Sequence, residues 1–456
     1  GGTGGDYMQA NIENIKSGKT SRTFGVNVGG NGGTGAHGGV VQVTNDNLIQ
    51  TDGLQSFGIR AESIGGGGGD GGAVSNGTML TGSGTKQSVN VNVGGSGGGG
   101  GNGKQVSVSN EATSTGGGGG NGGVIINTLL SLSGASSQTQ DLSFNYGGKG
   151  GGGGKGGEVI VNNLNTAGAG DIQTGGESAH GIFAQSLGGG GGNGSSIISM
   201  TGLRNSKDSV AVGLNFGGAG GSGDNFGQKV TVENSGTISA GGKDAYGILA
   251  QSVGGGGGNG GLAIAASAAF GQKSKSPVLA IGGSGGAGGN GGEVIVTNTG
   301  SIFTSGAGGH GIVAQSIGGG GGHAGVGIAA TNDAPSFAIS NLVSLVAGAT
   351  GGGAGGIGGE VKVTHTGNIT VTGEGAHAIM AESINGGGGH LKFDLDGVVG
   401  MPGFSFKDTF ADIFDIAPAD AVIDPKIATR LGGTDQSDLN ASKVTVVSTG
   451  DFGVGG

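Results

Sequence analysis

The chain has no cysteine, no tryptophan, only five prolines and few charges. Without cysteine there is neither a disulfide frame nor a thiolate metal site. Five prolines in 456 residues exclude collagen, which sets abundant proline beside its glycines. Charged residues make up 11%, where roughly a quarter is usual, so the composition is not that of a charge-swollen disordered chain. There is no apolar run of about 18 residues and no charged-then-apolar leader, so this segment is not expected to insert into a membrane. A net charge of −10 excludes nucleic acid and anionic lipid as expected partners, since both require basic patches.

What the chain does have is glycine, 125 of 456 residues against an average near 7%. The apolar residues are mainly Val, Ile, Leu and Ala. Such a chain cannot build one large aromatic core, but it can build a thin continuous core layer by layer, as solenoids do.

An internal repeat decides the fold class. An alternating strand recurs as Val41-Gln42-Val43-Thr44-Asn45, Val106-Ser107-Val108-Ser109-Asn110, Val159-Ile160-Val161-Asn162-Asn163 and Val230-Thr231-Val232-Glu233-Asn234. It returns as Val294-Ile295-Val296-Thr297-Asn298, Val361-Lys362-Val363-Thr364-His365 and Val444-Thr445-Val446-Val447-Ser448. The spacings are 65, 53, 71, 64, 67 and 83 residues. Before each strand lies a glycine tract, and the cleanest have a period of three: 29–39, 147–157 and 282–292. The tract at 348–359 slips that register. Three residues per turn is the period of an extended polyproline II-type helix, which has no internal hydrogen bonds. Buried backbone must find partners, so these tracts are expected to bond to one another or to strands.

A second anchor follows each strand. It runs Gly181-Ile182-Phe183-Ala184-Gln185-Ser186-Leu187, then Gly247 to Val253 and Gly311 to Ile317, with looser copies at 58–64 and 378–384 and a truncated one at 112–115. Each copy leads into a second glycine run. A variable part then places two apolar strands around a polar loop, as in Leu262 to Phe270 and Val278 to Ile281.

The joined pattern of GI-x-AQS-[ILV]-GGGGG, GG-x-GG and V-x-V-x-N-x-G-x-I resembles the repeats of large glycine-rich bacterial autotransporter passengers, over about residues 24 to 456. The resemblance implies secretion to the outer surface of a Gram-negative bacterium and a parallel β-solenoid with an adhesive or structural role. The expected fold is therefore all-β: a parallel β-solenoid or β-helix of ~65-residue repeats with interleaved polyglycine II-like tracts. Residues 1–23 are assigned to an incomplete first repeat, 24–390 to solenoid repeats, 391–431 to an insertion with a short helix, and 432–456 to a further repeat. Glycine-rich text at both ends suggests a piece of something longer.

No candidate catalytic, cofactor-binding or metal-ligating residue emerges. The residue before each Gly-Ile pair is Phe57, His180, Tyr246, His310 or His377. Aromatic rings share that position with histidine, so a stacking ladder is expected rather than a metal site, whose ligands must converge on one point. The Glu62, Gln185, Gln251, Gln315, Glu382 column and the Ser63, Ser186, Ser252, Ser316, Ser383 column are expected to be hydrogen-bonding ladders, the serines serving the adjoining glycine run. Asp70 and Asp224 are isolated, which argues against a calcium-bound β-roll, and no Gly-Lys-Ser/Thr follows the glycine runs, which argues against a phosphate loop. The expected function is a non-enzymatic extracellular stalk, adhesive fibre or self-assembling filament. Its expected partners are copies of itself or host-surface ligands. The alternative is a recognition module of the phage tail-fibre adhesin type, with variable loops displayed on a polyglycine bundle.

Overall fold

A computed structural model describes residues 1–44, 48–56, 59–108, 111–133, 138–164, 170–204, 209–222, 226–270, 274–332, 342–348, 351–390, 442–449 and 452–454. The 391–431 insertion lies outside these residues. The fold is all-β, with stacked parallel strands and no helix among the described residues. None of it, accordingly, is a helix long and apolar enough to cross a membrane.

Each repeat contributes one layer, and a layer has three zones. The first is a three-sided solenoid. Its sides are a seven-stranded sheet of the Val-x-Val strands, a six-stranded sheet of short strands such as Ile238–Ala240, and a six-stranded sheet of Gln-Ser strands such as Ile248–Val253. All pairings in these sheets are parallel and in register: Val159 faces Val230, Val230 faces Val294, and Gln185 faces Gln251. The inward residues form one aliphatic core, including Val230, Val232, Ile238, Ile248 and Ala250, all with 0% exposure. A turn precedes five of the six strands of the Gln-Ser sheet, and its tip takes a left-handed conformation at Gln55, Ser178, Asp244, Gly308 and Gly375. Glycine and aspartate suit that position, which disfavours a branched Cβ.

The second zone is a sandwich of two stacked parallel arrays, built from the variable parts. Strands Tyr7–Ile15, Val74–Gly82, Ile125–Ser133, Ile197–Arg204 and Ala263–Phe270 stack in one array. Strands Thr20–Val28, Thr85–Val93, Thr139–Tyr146, Ser209–Phe216 and Val278–Ile281 stack in the other. The boundary drawn at residue 24 from the sequence falls inside the strand Thr20–Val28. At the far end, Val326–Asn332 and Leu342–Gly348 pair antiparallel and join the arrays into one sheet. That closure removes two open strand edges, which would otherwise template aggregation.

The sandwich interior is mixed: apolar clusters such as Val74, Ile125 and Ile197, or Leu80, Leu129 and Leu203, lie beside a large number of buried polar side chains. Asn27, Asn92, Asn145 and Asn215 are 0–1% exposed and pass one hydrogen bond to the next, Asn92 Nδ2 donating to Asn145 Oδ1 at 2.7 Å. Identical neighbours one layer away pair the amides of Asn27, Asn92 and Asn145, whereas Nδ2 of Asn215, where the series ends, has no partner among the described residues. The outward faces carry apolar side chains instead, with Phe24 73%, Met8 83% and Ile12 76% exposed.

The third zone, the waist between the two lobes, is built from glycine-rich tracts. Two tracts per layer cross it in opposite directions, one into the solenoid and one back. Seven layers about 4.8 Å apart rise only roughly 30 Å. A nine-residue sandwich strand spans about that much by itself, before the waist and solenoid are added. The segment is therefore wider than it is tall.

Candidate functional site: a glycine waist and its side-chain ladders

The waist has a three-residue rule. In one position of each triplet, the amide donates to the same tract one layer on, as Gly68 does to the Gly118 carbonyl and Gly32 does to that of Ser96, both at 2.8 Å. In the next position it donates to the opposite tract. An unbroken series of twelve such bonds, each 2.7–2.9 Å, runs from Gly389 through Gly353, Gly322, Gly286, Gly258, Gly221, Gly192, Gly151, Gly120, Gly98, Gly69 and Gly33 to Gly2. This is how the tracts meet the requirement that buried backbone be paired. In the third position the residue faces away from both neighbours, and side chains are accepted.

In the tract near residue 350 the triplets are in register from Gly352 onward: Gly353 and Gly356 donate to Gly322 and Gly319, while the carbonyls of Ala354 and Ile357 accept from Gly288 and Gly291. The residues at which the sequence leaves the triplet, Ala349 and Thr350, lie outside the described residues.

Third-position side chains cap the backbone that the waist leaves unpaired. Asp70 Oδ1 accepts the Asn121 amide at 2.6 Å. Asn121, Asn193 and Asn259 in turn accept the amides of Asn193, Asn259 and His323, each at 2.9 Å. Asp70 thus belongs to a structural column. Asp224 lies outside the described residues.

The serine column acts elsewhere than expected. Ser252, 0% exposed, donates to the Gln228 carbonyl at 2.7 Å and accepts the Gly292 amide at 2.8 Å. Ser186 and Ser316 do the same one layer before and after. They fasten the end of the first glycine tract, not the run that follows them in sequence, because that end lies beside the Gln-Ser strand in the coil. Ser252→Ala leaves a buried carbonyl and amide unpaired, and a loss of about 2 kcal/mol is expected in chemical denaturation. An unchanged midpoint would show that water replaces the hydroxyl.

The other columns are continuous. Gln185 donates to Gln251 at 2.9 Å, Gln251 to Gln315 at 2.6 Å and Gln315 to Glu382 at 2.6 Å. Asn163, Asn234, Asn298 and His365 form another buried series. In the ring ladder, His180 and Tyr246 stack at 4.8 Å, and Tyr246–His310 and His310–His377 at 5.1 Å each. Phe57 lies outside the described residues. Nδ1 of His180 accepts the Tyr246 amide and Nδ1 of His310 accepts that of His377, so both rings serve as neutral acceptors. Burial holds His180 down to about 4 and lowers His310 and His365 as well. Among the described residues no three His, Asp or Glu side chains could together hold a metal ion.

One acid stands apart. Asp141 sits inside the sandwich, 5% exposed, accepting from Ser88, and burial pushes it up to about 6. A cleft of about 570 Å³ lies beside it, lined by Arg22, Gln87 and Gln140 among others. Arg22, Gln87 and Gln140 are themselves joined in a ladder, at 2.9 and 2.8 Å. The sequence pattern gave no sign of Asp141, because its strand repeats in register without repeating its residue.

Comparison with known families, curated proteins and solved structures finds no match for this chain.

Proposed function

We propose that the chain is a section of a non-enzymatic extracellular scaffold, a thick fibre or surface stalk of the kind the autotransporter resemblance implies. The observation that carries this reading is the waist. Twelve consecutive hydrogen bonds tie every layer from Gly2 to Gly389 with no side chain between them. The serines, glutamines, asparagines and histidines that could otherwise do chemistry are engaged in holding layers in register. The slab geometry refines the kind of scaffold: about 65 residues are spent on each ~4.8 Å of length, so the design favours girth and stiffness over reach.

Cryo-electron microscopy of the purified segment tests this. Flat particles, wider than tall, or filaments of stacked slabs with a layer line near 4.8 Å are expected. Flexible threads without layer structure would overturn the scaffold reading.

A further inference from the structure

The second array of the sandwich meets the first on its inner side and faces water on its outer side. Burial alternates along Thr20–Val28, Thr85–Val93, Thr139–Tyr146 and Ser209–Phe216, so every second residue points outward. In-register pairing sets these outward residues in rows across the strands. One row runs Val26, Val91, Phe144, Leu214 and Leu279. The rows beside it, from Phe24 to Val212 and from Val28 to Ile281, are likewise uncharged and, the Tyr146 hydroxyl apart, apolar.

The patch is open to solvent, with Phe24 73%, Val28 57% and Tyr146 42% exposed. The solenoid treats its water-facing side differently. Gln42, Ser107, Thr231 and Lys362 stand at the outward positions of the Val-x-Val sheet. On the second array polar residues keep to the edge, where Arg22, Gln87 and Gln140 form their ladder. An apolar centre with aromatic rings and a polar rim is the anatomy of a protein–protein interface. The outer side of the first array also exposes Met8 and Ile12, but Gly77, Gly202 and Arg204 interrupt its rows.

We infer that a second copy of this chain docks on the outer side of the second array, face to face about a two-fold axis. Four strands of eight or more residues, with the shorter Val278–Ile281 beside them, give a face of about 27 by 22 Å. Two such faces remove roughly 1,200 Å² from water, the size at which specific interfaces begin. Both copies carry rows at the same ~4.8 Å strand spacing, so the rows mesh along their whole length. A two-fold parallel to the stack also places the two solenoids on opposite sides of the block, out of each other's way. The rows hold no charge, so the repulsion between two chains of net charge −10 is not concentrated at this face. The inference names the surface through which copies join, and it holds whether or not the slab serves as a scaffold.

Sedimentation equilibrium of the whole chain tests it, with a dimer expected to predominate at about 10 μM. Val26→Glu combined with Tyr146→Glu is expected to give a monomer with an unchanged circular dichroism spectrum. Met8→Glu combined with Ile12→Glu, on the other array, is expected to leave the dimer intact. The chain has no cysteine of its own. Phe144→Cys, in the central row, is therefore expected to cross-link two copies on oxidation, which tests the face without adding charge to it. The proposal is overturned if the parent stays monomeric at about 100 μM, or if association survives the Val26 and Tyr146 changes. Loss of the dimer in the Met8 and Ile12 variant alone, or no cross-link through Phe144→Cys, overturns it as well. Monomers that still form slabs in electron micrographs would remove this docking surface and leave the scaffold reading standing.

Discussion

Gly192→Ala should destabilise the protein by about 3 kcal/mol or more, whereas Gly190→Ala, two residues away in the same run, should change it by less than about 0.5 kcal/mol. A Cβ on Gly192 would land on the carbonyl of Gly120 in the neighbouring tract, in the middle of the twelve-bond series. The atom it meets is backbone, fixed from both sides by its own hydrogen bonds, so it cannot swing away as a side chain would. A Cβ on Gly190 meets only the Gly256 carbonyl, at 3.8 Å, an ordinary contact. Both substitutions remove the same backbone freedom from the unfolded chain, so their difference isolates the packing term. Denaturant midpoints of the two variants measure it. Equal midpoints would mean that the tracts do not pack as closely as the hydrogen bonds require.

The second large effect is pH dependence that the intact protein conceals. His180 is held at about 4 in the folded state against an ordinary 6.5. Its contribution is therefore complete above pH 6.5 and is lost as pH falls toward 4, because the unfolded chain takes the proton first. Asp141, raised from 3.8 to about 6, works the other way. The folded state binds its proton more tightly, so stability falls as pH rises from about 4 to 6. Each shift corresponds to at most about 3 kcal/mol, less for His180, whose ring is partly exposed to solvent screening. The two oppose each other over the same window.

Separate variants uncover them. Asp141→Asn should be more stable than the parent at pH 7 by up to about 3 kcal/mol, with the gain vanishing near pH 4. His180→Phe keeps a ring in the ladder and should show its advantage over the parent growing as pH drops from 6.5 to 4. Denaturation at half-unit steps between pH 4 and 8 provides both curves. Parallel curves for parent and variant would mean the group does not titrate on folding.

These effects also mark where sequence reasoning ends. The Val-x-Val and Gln-Ser strands were legible because identical residues recur at nearly constant spacing, and parallel in-register stacking is the direct consequence. The glycine triplets were legible for a related reason: Asn121, Asn193 and Asn259 stand at the one position where a side chain fits. The sandwich was less so. Val89-Asn90-Val91-Asn92-Val93 alternates like a half-buried strand, and alternation alone favours valine inside. The structure buries Asn90 and Asn92 instead. Amides that stack on their own copies lose the usual cost of burial, and a single strand read in isolation cannot show that its neighbours are copies. The target of the serine column was hidden because Ser252 and Gly292 are brought together by the coil, forty residues apart.

The direction of the amides in the waist bears on how long such a stack can be. Along each glycine column the earlier layer donates to the later one, as Gly68 does to Gly118. Between columns the later layer donates to the earlier, as Gly98 does to Gly69. The two families of peptide dipoles thus oppose each other along the axis, unlike those of an α-helix, which align into a macrodipole with charged ends. A stack built this way gains length without building up opposite poles, and needs no counter-charge at its tips. Its extent is then a matter of how many layers the gene encodes rather than of any electrostatic limit.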